Sequence, residues 1–203
     1  MLSIIAAAIT VATSIGKALA VAGLVGEGLK VLGNAFIALG KALGLIKPET
    51  NVEDLGDKAI QAAEAGIKPE NFSSYEEYVK NVESFKADPE KSRKISETEK
   101  LSKGIEVTAA LTAEKYPDFP VEAFSKYAIS NPQYFTAERM SEFGKLLKGS
   151  VDMAKTVFGY ITGTEHNDKN IANAEKILKG FEKTINPNIS DADALKNVLS
   201  SRK

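Results

Sequence analysis

The chain opens MLSIIAAAITVATSIGKALAVAGLVGEGLKVLGNAFIALGKALGLI, residues 1–46, and the reading of this stretch decides the fold. Only four of its residues are charged, Lys17, Glu27, Lys30 and Lys41, and seven of the chain's 15 glycines fall within it. From Leu2 to Val25 the sole charge is Lys17. That length matches the roughly 20 apolar residues of a membrane-spanning helix. A lysine at bilayer depth costs roughly 3 kcal/mol, less where its stem reaches the interface. Insertion is permitted, and weakly driven.

The stretch also has a helical pattern. Successive residues of an α-helix are rotated by about 100°. On that wheel Gly16, Gly23, Glu27, Lys30, Asn34 and Lys41 share one narrow stripe. Leu24, Leu29, Val31, Leu32, Ala35, Phe36 and Leu39 fill the rest. The pattern predicts an amphipathic helix with a very wide apolar side.

Small residues recur at every fourth position in Ala6-Thr10-Ser14, Ala18-Ala22-Gly26 and Gly40-Gly44. Such spacing lets helix backbones approach closely inside lipid. Three glycines in GLVGEG, residues 23–28, each disfavour a helix interior by about 1 kcal/mol. They predict a hinge between helices over 2–22 and 29–46. A cleavable secretory signal fits poorly, because Met1-Leu2-Ser3 carries no positive charge and Lys17 sits just before the Ala18-Leu19-Ala20 site. The alternative to a membrane role is that the same apolar element forms the centre of a helical bundle.

The chain has 203 residues, 43% apolar and 26% charged, which is ordinary for one globular domain. The average hides a split. Three lysines against one glutamate leave residues 1–46 at +2, so the remainder carries −3 of the overall −1. Nucleic-acid binding needs clustered cations, and this balance argues against it. Cysteine is absent, which excludes disulfides and thiolate metal sites. Tryptophan, a usual membrane-interface anchor, is absent too.

After Lys47-Pro48 the chain reads as a series of amphipathic helices. Thr50 and Glu53 suggest a capping box, and Gly66 a helix end. Ser74 precedes a helix from Tyr75 to Lys86 with Tyr75, Tyr78, Val79, Val82 and Phe85 on one face. Residues 88–103 are highly charged and read as a solvated helix or a flexible linker. The region bearing Phe119, Phe124, Tyr127, Tyr134 and Phe135 is the most aromatic, as expected of packing between helix ends. Thr136 to Thr162 reads as one helix about 40 Å long, with a seam of Met140, Phe143, Leu147, Ser150, Ala154, Val157 and Ile161. Two further helices follow around Ile171–Ile185 and Ala194–Leu199. No stretch alternates as a strand.

Catalytic constellations are lacking. His166 is the only histidine, and metal sites of the usual kind need two or more His or Cys ligands. The acidic pairs Glu53-Asp54, Glu76-Glu77 and Asp191-Asp193 sit at helix starts, where carboxylates suit the helix dipole. Phosphate-loop, nucleophile-elbow and zinc-protease motifs are missing.

The sequence therefore predicts an all-α bundle of about six to eight helices with an apolar N-terminal helix or helical hairpin. It divides into a membrane-active segment, 1–46, and a soluble helical domain, 47–203, with a flexible boundary near 86–104. The expected function is non-enzymatic: the N-terminal segment inserts into or perforates a bilayer, as in pore formers, effectors and phage-ejected proteins. The alternative is a structural or adaptor protein whose N-terminal segment is buried as bundle core. Membrane or oligomer contacts are assigned to Ala18, Ala22, Leu24, Gly26, Leu32, Phe36, Gly40 and Gly44, and a polar stripe to Glu27, Lys30, Asn34 and Lys41. The expected partners are a lipid bilayer and further copies or other protein subunits, with no nucleic acid, metal or cofactor. The soluble form becomes membrane-associated, in a secreted or virion-borne setting.

Overall fold

The computed structural model describes residues 4–202. Among them every regular element is helical: α1 (Ile4–Ala22), α2 (Gly26–Leu43), α3 (Val52–Glu64), α4 (Tyr75–Ser84), α5 (Pro89–Ser92), α6 (Glu97–Lys115), α7 (Val121–Ser130), α8 (Ala137–Gly149), α9 (Val151–Thr162), α10 (Asp168–Ile185) and α11 (Asp191–Ser200). A 3₁₀ turn, Pro69–Asn71, lies between α3 and α4. The all-α class stands. Eleven helices replace the six to eight expected, partly because single periodic stretches are broken by caps.

The clearest case is the expected long helix over 136–162, which is two helices. Ser150 has extended backbone, φ −160° and ψ 110°, and its hydroxyl accepts the Met153 N–H at 3.2 Å. The serine that interrupted the apolar seam is the N-cap of α9. The seam itself is real: Met140, Phe143, Leu147, Ala154, Val157 and Ile161 are all buried. Similarly, α3 is capped by Asn51, whose side chain accepts from Asp54 N at 2.7 Å. Thr50 instead donates to Glu83 on α4, at 3.0 Å.

α6 is the hub of the molecule. α1, α2, α3, α4 and α7 all pack against it. Its start is fixed by a capping box, with Ser96 and Glu99 exchanging side-chain-to-backbone bonds of 2.9 and 3.2 Å. Leu101 and Ile105 are buried on it, so the charged stretch near 86–104 includes the first turns of the central helix. Ahead of it, α5 is tied to α3: Gln61 donates to the Asp88 carbonyl at 3.3 Å and Ser92 Oγ at 3.0 Å, and Asp88 N donates to Gln61 Oε1 at 2.8 Å. α3 crosses α6 closely because Gly56 and Gly104 meet there. A Cβ on Gly56 would strike the Lys100 carbonyl, and one on Gly104 the Val52 carbonyl.

α8, α9, α10 and α11 form the other half of the bundle, and α2 joins the halves. It packs on α8 along one side and on α6 and α3 along others. Nine of its residues are buried. One contiguous core takes side chains from residues 1–46 and from the body alike. At the centre Phe124 stacks on Phe143, with centroids 4.4 Å apart, and Phe119, Phe135 and Phe158 pack edge-on or tilted around Phe124. The aromatic region is interior packing.

Candidate functional site

The two helices within residues 1–46 have different fates. Gly23 and Gly26, with φ of +62° and +56°, make the turn between them, a backbone region open to glycine at little cost. α1 and α2 then diverge and share little contact with each other. α2 goes into the core. α1 lies on the outside, against α6, α7 and the 3₁₀ turn.

α1 buries Ala8, Ala12, Ile15 and Leu19, with Ile5, Ile9, Val11 and Ala18 half-buried against the core beside them. The spacings of four, three and four among the buried residues are a helical seam. Burial of Ile15 and Leu19 stabilises the docking by about 1.5–3 kcal/mol each. Polar contacts are few. Ser14 donates to Glu122 on α7 at 2.7 Å. The Glu106 carboxylate lies directly against Gly16 and also takes Lys103, at 2.9 Å. The bonds from Lys126 and Ser14 hold the Glu122 carboxyl below its ordinary pKa.

The outer face of α1 is uncovered: Ala7, Thr10, Thr13, Lys17 and Ala20 line it, with the exposed large side chains Ile4, 62% exposed, and Val21, 89%, at its ends, and Lys17 is the only charged side chain on the helix. α1 is the one helix among the described residues long and apolar enough to cross a membrane. Val25, in the turn after it, is 68% exposed. Beside this corner runs an open groove of about 620 Å³. Leu19, Leu24, Val25, Ile60 and Ala63 supply its apolar part, and Glu99, Lys103 and Glu106 its charged edge. Gly16 faces Glu106, and Gly23 shares the groove with Thr98 and Glu99, so α1 runs antiparallel to α6.

The expected contact residues are thereby divided. Leu32 and Phe36 are fully buried, and Gly40 is buried against Ile46 and Thr108. Gly44 is the left-handed C-cap of α2, its N–H bonded to Lys41 O at 2.9 Å. Ala18 and Leu24 are half-buried and Ala22 and Gly26 exposed, all near the α1–α2 corner. On the stripe, Glu27, Lys30 and Asn34 face solvent and Lys41 is half-exposed, so one side of α2 remains wet. Val11 is half-buried on α1. The sequence reading took Ser14 only as one of a small-residue series and did not single out Glu106 and Glu122, which hold α1 with it, or assign Ile60 and Ala63 to a groove. Their only signal was helical position on faces whose partners come from distant segments.

His166 is exposed between α9 and α10. Among the described residues no three His, Asp or Glu side chains converge as metal ligands do. No family model, curated protein or solved structure matches the chain.

Proposed function

We propose that the protein is a non-enzymatic, membrane-interacting helical bundle in which α1 is the inserting arm. The observation that carries this reading is the combination found in one helix: 19 residues of spanning length and apolarity, seated on one side only, with the other side uncovered. In the proposed mechanism α1 peels from α6 and α7 and pivots at Gly23–Gly26, while α2 stays in the core. Its seven large aliphatic residues from Ile4 to Val21 favour bilayer entry by about 0.3–0.6 kcal/mol each. Lys17 opposes it by roughly 3 kcal/mol, less where the stem snorkels from the last turns of the helix. The near balance suits an arm that docks in water and inserts on contact with a bilayer. Small residues along α1 would then allow several copies to pack in lipid.

The second reading is an adaptor whose bare α1 face is covered by another protein subunit. The enclosure of Leu32 and Phe36 favours it, because α2 has no need of lipid.

The absence of cysteine makes the test direct. Val21→Cys, labelled with an environment-sensitive dye, is mixed with vesicles and the mixture is floated. Co-flotation with a blue-shifted dye supports the membrane reading. A protein that stays at the bottom of the gradient with an unshifted dye overturns it and leaves the adaptor.

A further inference from the structure

The molecule holds a second cavity, of about 480 Å³, that owes nothing to α1. It lies between the C-terminal end of α2 and the loop after it, α4, and the end of α6. Four lysines reach it from four places in the chain: Lys41 from α2, Lys47 from the loop, Lys80 from α4 and Lys115 from α6. Two carboxylates oppose them, Glu76 and Glu83.

Both carboxylates are fully engaged. Glu76 takes Lys80 at 2.8 Å and Lys115 at 3.8 Å. Glu83 takes Lys47 at 3.8 Å and also accepts the Thr50 hydroxyl at 3.0 Å and the Lys47 N–H at 3.3 Å. Lys41 enters none of the ion pairs among the described residues. Four cations against two anions give a side-chain surplus of +2, partly offset by the carbonyl ends of α2 and α6 beside which Lys41 and Lys115 sit, in a chain whose net charge is −1. Lys47, Lys80 and Lys115 share the two carboxylates while Lys41 has none, and an anionic occupant supplies the missing partner. Lysine ammonium groups suit phosphate oxygens as mobile point charges. The walls also include Leu45, Ile46, Pro48 and Val79, which favours an organic group attached to the anion over a bare ion.

We propose that this cavity binds a phosphate monoester, whose charge of about −1.5 to −2 at neutral pH matches the surplus. Two sources carry that chemistry: a soluble sugar or glycerol phosphate, and the monoester headgroup of phosphatidic acid in a bilayer. A phosphodiester lipid carries a single charge and fits less well.

The full chain is titrated with glycerol 3-phosphate by calorimetry. It is also floated with phosphatidylcholine vesicles containing either phosphatidic acid or phosphatidylglycerol. The cavity variant is Lys41→Gln with Lys115→Gln. The control, Lys176→Gln with Lys196→Gln, makes the same charge change at two exposed lysines on α10 and α11, and Lys41→Arg keeps the charge. Saturable binding to either monoester source is expected, weakened about tenfold for each cavity lysine neutralised, unchanged in the control and retained by Lys41→Arg. Binding to phosphatidic acid vesicles that the cavity variant loses identifies the lipid as the source, and binding to glycerol phosphate alone the soluble ester; both support the site. No saturable binding to either source overturns it. So does equal loss in the cavity and control variants, or, with no glycerol phosphate binding, flotation that the cavity variant leaves unchanged. Circular dichroism melting of each variant separates loss of binding from loss of fold. The Val21 dye readout is independent of these lysines, so the two proposals can fail separately.

Discussion

Phe36→Ala tests whether α2 is structural. Phe36 is fully buried on the helix that joins the two halves of the bundle, beside Leu32, Ala35 and Leu39. Removing a buried phenyl ring costs about 3–5 kcal/mol in lost transfer energy and residual cavity. A domain of this kind has about 5–15 kcal/mol in all, so the loss is a large share of the whole. With a urea slope of about 2 kcal/mol per molar, the unfolding midpoint falls by about 1.5–2.5 M. The matched change on the outer helix is Ile15→Ala. Ile15 is equally buried, but its cost is capped by the free energy that docks α1. Once α1 detaches, further weakening of its seat has no effect on the remaining bundle. Ile15→Ala therefore leaves the main urea transition nearly in place and speeds hydrogen exchange in α1 alone. Both variants are followed by far-UV circular dichroism and amide exchange. A midpoint shift under about 0.5 M for Phe36→Ala would refute the reasoning, because a ring that supports the core cannot be removed so cheaply.

Other expectations can be checked with the same melts. Ser150→Ala removes the cap that breaks the 136–162 stretch and costs about 1 kcal/mol, whereas Ser150→Asp retains most of the stability. Glu114 accepts the first two N–H groups of α4, from Tyr75 at 2.6 Å and Glu76 at 2.8 Å, so Glu114→Ala lowers the melting temperature more than Glu97→Ala, which sits in the first turn of α6. Gly104→Ala forces a methyl into the Val52 carbonyl at the α3–α6 crossing and destabilises by about 1–3 kcal/mol or more. Acid acts through Glu182. Burial raises its carboxyl, but the bonds from Arg139, at 2.6 and 2.8 Å, and from Asn197, at 2.7 Å, outweigh burial and leave its pKa below the ordinary value. The stability this contributes is present above the unfolded carboxylate value of about 4.3 and is lost as pH falls through the lower folded value. Melts between pH 6 and 3 show a steep acid limb, and Glu182→Gln flattens it.

Much of the fold was legible in local chemistry. Ser74 before Tyr75 and the glycines of GLVGEG announced helix ends, because caps and positive φ are set by neighbouring residues. The wheel that placed Glu27, Lys30 and Asn34 on one side of α2 also described its exposed face. The partition of residues 1–46 was not legible. Both halves are apolar, and what separates them is that α8 and α6 embrace α2 while α1 has α6 and α7 on one side only. Those partners lie far along the chain. Ser150 was visible as a flaw in the seam, but its role as a cap required its backbone angles. The lysine cavity was hidden because its four cations come from four separate segments, each unremarkable alone.

The central claim, that α1 leaves and α2 stays, is tested most directly by amide hydrogen exchange of the full chain with and without vesicles. The account predicts that lipid changes the protection of Ile4–Ala22, while the core positions of α2 around Leu32 and Phe36 exchange as slowly as before. Loss of protection in α2 together with α1, or no response to lipid in either helix, would contradict it.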